Sequence, residues 1–190
     1  MSEELLLLKE EGEESAKLIL VHISDGSVLK EWMVEKSGCG TIVNGNLVVV
    51  SVGTNRIELF YVNDRKRCKT FDVEKSGNVI ALDAYLKDEA VYVLLGYSNG
   101  VIWVYQYIDG MLRSKMESKL YGLMHLAFCG TDVVAIADSE GGIHQALLDY
   151  NQRQIHMDWK ATMKLSIYCK NIKTDGLIPE SIRLRLLDRS

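Results

Sequence analysis

The chain has very little proline, and no segment in which proline or serine accumulates. Its 190 residues include one proline, Pro179, and 15 glycines that are spread along the whole length. Because no linker-like segment separates two units, the sequence predicts a single domain over residues 1–190. A hydrophobic content of 47% is enough to bury a sizeable core.

Long apolar runs and basic targeting signals are also lacking. The longest apolar stretches, such as Leu47–Val52, are far shorter than the roughly 20 residues that a membrane-spanning helix needs. The four leucines near the N-terminus follow glutamates, whereas secretory and mitochondrial leaders begin with basic residues. We therefore expect no membrane contact, and a cytoplasmic or nuclear protein.

Neither sign of charge dominates, and the cysteines are not grouped. The chain has 22 basic and 26 acidic residues, so no overall attraction to nucleic acid is expected. Its four cysteines include no CxxC pair and no close cysteine–histidine grouping that resembles a zinc site. The sequence predicts reduced, buried cysteines, no metal and no cofactor.

The usual catalytic motifs are missing as well. The sequence contains no GxSxG elbow, no phosphate-binding GxxxxGK[ST] loop and no GxGxxG, and its four histidines form no HExxH or His-x-His pattern. Cys39 lies between Gly38 and Gly40, an arrangement that would suit an accessible nucleophile, but glycines at this place are needed for a turn. The sequence therefore predicts a protein that is not an enzyme.

What the sequence does contain is a repeat. The string VEKSG occurs at residues 34–38 and again at residues 73–77. Ile57, Ile102 and Ile143 take the same place in three segments that begin with small turn residues, and they follow one another at intervals of about 40 to 45 residues. Self-similarity at this period predicts a repeat architecture.

Each repeat divides into four pieces of strand length, joined by turns such as Asn44-Gly45. In the third repeat Ala90–Tyr97 is almost continuously apolar, as expected for a strand covered on both faces, and the outer piece Met111–Ser118 is more polar. The first repeat supplies only three strands, and Lys9–Ser15 is predicted to be a disordered hairpin tip. Blades are predicted at residues 4–35, 39–74, 78–118 and 121–159, with closing or extra strands at residues 162–190.

Four-stranded units at this period are typical of β-propeller blades. Over residues 16–159 the chain resembles the WD-repeat family, with Asn99-Gly100 at the turn before the third strand and Tyr105-Gln106 where the family has Trp-Asp. The family's Gly-His and Trp-Asp dipeptides are absent, so its hydrogen-bond network is not assigned to residues here. The resemblance implies an all-β fold of antiparallel four-stranded sheets, forming about four blades of a partial or small β-propeller.

The predicted function is that of a non-catalytic protein–protein interaction scaffold, a WD-repeat-like subunit of a larger complex. Trp32 and Trp159, on outer strands, are the predicted partner contacts, because interface hot spots favour tryptophan. Trp103, Tyr105 and Tyr107 alternate along a central strand and are predicted to pack in the core. An open end of the blade stack would expose an apolar face, so another chain or a second copy is expected to complete the propeller.

Two alternatives remain open at this point. The first is an RNA-binding accessory subunit that uses a basic hairpin, Arg65, Lys66, Arg67 and Lys69, to contact phosphate. The same charges would also serve a solvated hairpin that discourages pairing at a sheet edge. The second alternative is a propeller hydrolase whose site assembles from loops.

Overall fold

The computed structural model describes residues 4–64, 68–108 and 111–164, and the side chains within these ranges except 113, 114 and 157–164. Over these residues the chain is all-β, with fifteen strands in four antiparallel sheets. In every sheet each strand pairs with the strand that follows it in the sequence. This order is the simplest one for short hairpin connections.

The first two sheets occupy the N-terminal part of the chain. The first sheet has the order β1-β2-β3 and the second has the order β4-β5-β6-β7. Their strands are β1 (Leu5–Glu11), β2 (Ser15–His22), β3 (Val28–Glu35), β4 (Gly40–Val43), β5 (Leu47–Ser51), β6 (Arg56–Tyr61) and β7 (Cys68–Asp72).

The third and fourth sheets follow in the same way, each with four strands. Their strands are β8 (Val79–Lys87), β9 (Ala90–Tyr97), β10 (Val101–Ile108), β11 (Met111–Lys119), β12 (Leu123–Phe128), β13 (Val133–Asp138), β14 (Gly142–Asp149) and β15 (Gln154–Lys164).

Tight turns connect the strands where the sequence places small residues. Asn44 and Gly45 both have positive φ, 49° and 65°, in the three-residue turn between β4 and β5, where the amide of Asn46 donates to the carbonyl oxygen of Val43 at 3.2 Å. Gly100 has φ 84°, and a Cβ there would lie 2.2 Å from the carbonyl oxygen of Leu120. Only glycine fits that position, so the turn between β9 and β10 depends on it.

Three hydrophobic clusters hold the sheets together in chain order. One cluster lies between the first and second sheets, one between the second and third, and one between the third and fourth. β4 contacts β1 on one side and β8 on the other, while β12 contacts β8 and β9. Four antiparallel sheets stacked face to face in this way are propeller-type blades, and the all-β, four-blade fold expected from the repeat is confirmed.

The VEKSG strings have the same place in two blades. Residues 34–38 lead from β3 to β4, and residues 73–77 lead from β7 to β8. Since β7 is the outer strand of the second blade, β3 is the outer strand of the first. The first blade therefore has its outer three strands, and among the described residues no strand pairs with the remaining edge of β1.

Two predicted boundaries are wrong. Lys9–Glu11 belongs to β1 and Ser15 begins β2, so the acidic tip is confined to residues 12–14, where the amide of Gly12 donates to the carbonyl oxygen of Ser15 at 2.8 Å. Residues 162–164 belong to β15, in which Lys164 pairs with Gly142 of the fourth blade, so they are not an additional strand. The remaining predicted closing strands, at residues 165–190, lie outside the described residues.

The aromatic residues of β10 are in the core, as their alternation predicts. Trp103, Tyr105 and Tyr107 are buried in the cluster between the second and third blades. Leu94 and Ile102 are buried on the paired strands β9 and β10, in the cluster toward the fourth blade. Both faces of the third blade are thus covered.

We expect Leu94→Ala to destabilise the protein by about 2–5 kcal/mol, because it leaves a cavity in a packed interface between two blades. Urea unfolding followed by tryptophan fluorescence measures this. Leu112→Ala, at a side chain that is 49% exposed on β11, is the matched control and should stay within about 0.5 kcal/mol of the parent protein. Equal effects of the two substitutions would contradict the assignment of Leu94 to the core.

Candidate interaction surfaces

The N-terminal face is the side of the first blade that points away from the second blade. Alternate residues of its strands take opposite sides: Leu18 and Leu20 are buried against the second blade, whereas Leu8 and Ile19 pair in register on the other side. Leu8 is 44% exposed and Met33, on β3, is 62% exposed. The N-terminal face consists of Leu6, Leu8, Ile19, Val21 and Met33.

The C-terminal face is the corresponding free side of the fourth blade. Val134 and Ile136 are buried against the third blade, and the residues that alternate with them lie on the opposite side of the sheet. Leu147, which pairs with Val133 there, is 43% exposed. The C-terminal face consists of Ala127, Val133, Ala135, Ala137, Ile143 and Leu147.

These two faces belong to the first and the last of the stacked blades, and one residue of each, Leu6 and Ala127, also lines a cavity between the inner strands. Each hydrophobic cluster of the described residues joins two consecutive blades, and none of them joins the fourth blade to the first. An apolar sheet face that is rimmed by polar residues is a typical site for binding another protein. The two faces are the main candidate interaction surfaces.

Trp32 lies in the interior, contrary to its predicted role as an exposed partner contact. Its side chain is 4% exposed and its ring packs edge-on against Phe60, with 5.7 Å between the ring centroids. Although β3 is an outer strand, its odd and even positions face opposite sides, and Trp32 is on the side that the second blade covers. The alternation of side chains along this strand does not indicate which of its two sides the second blade covers.

Trp32 also takes part in a polar contact between the first two blades. Its indole Nε1 donates to Oε1 of Glu58 at 2.7 Å, and the Lys30 ammonium donates to the same oxygen. The ammonium lies 4.5 Å from the centroid of the Phe60 ring. Burial alone would raise the pKa of Glu58, but the hydrogen bonds from Lys30 and Trp32 outweigh it and hold the pKa below its usual value.

The other predicted contact residues are mostly outside what the structure describes. Arg65, Lys66 and Arg67 fall between the described ranges, and the side chain of Trp159 is not described. Lys69 lies on β7 and is half-buried. The basic hairpin as an RNA contact stays a prediction, and so does the partner contact at Trp159.

A cavity of about 480 Å³ lies where β1, β4, β8 and β12 approach one another. Its polar lining includes Asp83 and His125. Oδ2 of Asp83 accepts the amide of Phe128 at 2.8 Å, and Oδ1 accepts the amide of Ala84 at 2.8 Å and the hydroxyl of Thr41 at 3.5 Å. Burial raises the pKa of Asp83. The carboxylate thus connects three consecutive blades, and its hydrogen bonds serve the fold.

Cys39 also lines this cavity, and its environment opposes nucleophilic chemistry. The amide of Cys39 donates to the Ser51 hydroxyl at 2.9 Å, while the thiol lies 3.8 Å from that hydroxyl. Burial raises the pKa of the thiol to about 11. Because the thiolate is the reactive form, a thiol with this pKa is almost entirely unreactive near neutral pH.

The pattern of the sequence did not indicate two further polar groups. Nε2 of His144 lies 2.5 Å from Oδ2 of Asp138, whose Oδ1 accepts the amides of Glu140 and Gly142 and so closes the hairpin between β13 and β14. The hydroxyls of Tyr85 and Tyr150 both donate to the carbonyl oxygen of Thr131, at 2.6 and 2.7 Å, and link the third and fourth blades. For the Asp138 turn the sequence contains one local signal, because an aspartate that precedes small turn residues often accepts a hydrogen bond from the backbone two residues later.

Within the described part of the chain, no set of three or more histidine, cysteine, aspartate or glutamate side chains is arranged to hold a metal ion. Among the same residues, no helix has the length and hydrophobicity needed to cross a membrane.

No protein-family model matches the chain, and no curated protein matches it. Among solved structures, it is similar to the crystal structure of BamB from Moraxella catarrhalis, with 12% sequence identity and a TM-score of 0.49. The match covers 86% of this chain and 52% of that one, so the chain spans about half the length of the BamB chain. The propeller-type fold rests on the four stacked sheets themselves.

We expect Glu58→Gln to cost about 1.5–3 kcal/mol at neutral pH, the range for a hydrogen bond to a charged group. Since the folded-state pKa of Glu58 is lowered, its contribution is fully present above the unfolded pKa of about 4.3 and is lost as the pH falls through the lower folded value. Urea unfolding of both proteins between about pH 7 and pH 2 tests this. Asp72→Asn, at a carboxylate that is 82% exposed beside Arg56, is the control.

We expect Cys39 to resist alkylation in the folded protein. Iodoacetamide near pH 8 should first modify Cys68 and Cys129, which are exposed and not buried as the sequence predicted. It should modify Cys39 only after denaturation, because this residue is partly buried and the pKa of its thiol is about 11. Peptide mass spectrometry of native and urea-treated samples gives the order of modification. Rapid native labelling of Cys39 would reopen the possibility of a reactive thiol in the cavity.

Proposed function

We propose that the chain is a non-catalytic protein–protein interaction scaffold, a WD-repeat-like subunit of a larger complex, which binds other protein subunits through the N-terminal and C-terminal faces. The observation that carries this proposal is the exposure of apolar side chains on both ends of the blade stack. The proposed location of this scaffold is the cytoplasm or the nucleus.

The composition of the two faces supports binding. Terminal units of repeat proteins usually carry a polar outer surface, because an uncovered apolar face lowers solubility. Here the N-terminal face has leucine, isoleucine, valine and methionine at neighbouring positions, and Leu8 and Met33 are among the most exposed apolar side chains of the first blade. Burial of such a face against a partner stabilises the complex by about 25 cal/mol per Å² of apolar surface removed from water.

The chemistry of the interior agrees with a binding role. The carboxylate of Asp83 accepts hydrogen bonds from neighbouring strands, and the thiol of Cys39 is protonated near neutral pH. Neither group has the lowered pKa or the adjacent base that a nucleophile requires. The exposed ends of the stack therefore remain the better candidates for a functional surface than the cavity.

An affinity purification with face variants tests the proposal. Leu8→Glu and Leu147→Glu each place a charge in the middle of one face, and each should remove proteins that co-purify with the parent chain, because a charge buried without a partner strongly opposes binding. Met111→Glu is the matched control, at a side chain that is 54% exposed on β11 and outside both faces.

Quantitative mass spectrometry of the eluates gives the result. A partner retained by the control and lost with one face variant assigns that partner to that face. Binding that both face variants leave unchanged would contradict the proposed function, provided that their thermal unfolding matches that of the parent chain.

A further inference from the structure

The two free faces are of opposite kinds. Every blade has one side toward the preceding blade and another toward the following blade. The N-terminal face is the preceding side of the first blade, and the C-terminal face is the following side of the fourth. At each of the three interfaces within the chain, the following side of one blade packs on the preceding side of the next. The two free faces are one surface of each of these two kinds.

The interface between the third and fourth blades demonstrates how such surfaces fit. A Cβ on Gly96, on the following side of the third blade, would lie 2.7 Å from Cδ2 of Leu123 and 2.8 Å from Cδ2 of Leu126. Ala81 is next to Gly96 in the sheet and is buried in the same cluster. Large leucines of one blade thus occupy the space above small residues of the blade before it.

The free faces repeat this difference in size. On the C-terminal face, the following side of the fourth blade, Ala127 pairs with Ala135 and Ala137 pairs with Ile143. The first blade has no described counterpart of the inner strand β12, and the strands that form its N-terminal face carry the larger leucine, isoleucine and methionine. Large side chains against small ones allow two sheets to interdigitate without a void.

The charges near the two faces do not oppose the same pairing. Glu10 and Glu31 lie on the side of the first blade that carries the N-terminal face, with Lys17 between them at 3.5 Å from Glu31. On the side of the fourth blade that carries the C-terminal face, His125 pairs with Ala137 and Gln145 pairs with Ala135. Among the side chains that the structure describes on these two sides, no concentration of like charge therefore faces another when the two surfaces meet.

We infer that a second copy of this chain docks on both faces at once, head to tail, and closes a two-fold symmetric ring of eight blades. Two sets of four blades reach the upper end of the usual range of about four to eight blades. A closed two-fold dimer leaves neither face open, whereas the described chain alone has no cluster between its fourth and first blades. This inference rests on the proposed function and names the partner.

Sedimentation equilibrium of the full chain tests the inference, since the expected mass is about twice the 21.4 kDa of one chain. Ile19→Glu on the N-terminal face and Ala135→Arg on the C-terminal face should each weaken self-association at least about 100-fold, because both interfaces of the ring contain both faces and an unpaired charge would be buried. Met111→Arg, outside both faces, is the control and should remain a dimer.

Mixing the two variants tests the head-to-tail arrangement. A dimer with one copy of each variant has one interface with both substitutions and another interface with neither. Ile19→Glu and Ala135→Arg should therefore form a mixed dimer although each alone is a monomer. Circular dichroism melts of the variants check that each is folded.

Two results would overturn the inference: a parent chain that remains a monomer, or an Ala135→Arg variant that dimerises as well as the parent. If the parent chain is a monomer, and Leu8→Glu or Leu147→Glu abolishes its binding of a different protein, the inference of a second copy is overturned while the scaffold function stands. A monomer whose co-purifying proteins do not depend on either face would overturn both.

Discussion

The need to cover both faces of each sheet is the physical constraint on which the rest of this structure depends. In the second blade Val48 and Val50 face the first blade, while Leu47 and Val49 face the third, and all four are at most 1% exposed. A sheet that is apolar on both sides cannot be stable by itself in water, so each blade depends on its neighbours. The stacked order of the blades follows from this dependence.

The same constraint directs attention to the ends of the stack and away from its centre. The end blades have apolar alternation like that of the inner blades, but one side of each is uncovered in the described chain. At the centre, Asp83 connects strands of three blades by hydrogen bonds, and Cys39 is partly buried with a raised thiol pKa. The uncovered sides of the end blades therefore carry apolar side chains that suit association, while the polar groups of the interior stabilise the fold.

Much of the fold was predictable because strands and hairpins have short-range signals. Period-two alternation along β10 correctly placed Trp103, Tyr105 and Tyr107 on one buried side, and Asn44-Gly45 correctly marked a turn with positive φ. The acidic tip was the exception. Residues such as Glu10 have no apolar pattern of their own, yet pairing with β2 holds Glu10 opposite Lys17 as part of a strand.

The sequence by itself determined the strand content, the period of the repeat and which residues share one side of a strand, since these depend on neighbours in the chain. Only the tertiary structure decided which side is covered, and this is why Trp32 is a core residue beside Glu58 and Phe60, both more than twenty residues away in the sequence. It also decided that Ile19 and Ala135 lie on free faces, although their local patterns resemble those of covered strands. The reason is physical: burial of a sheet face is set by which other sheet packs on it, and that contact is made by residues from distant repeats.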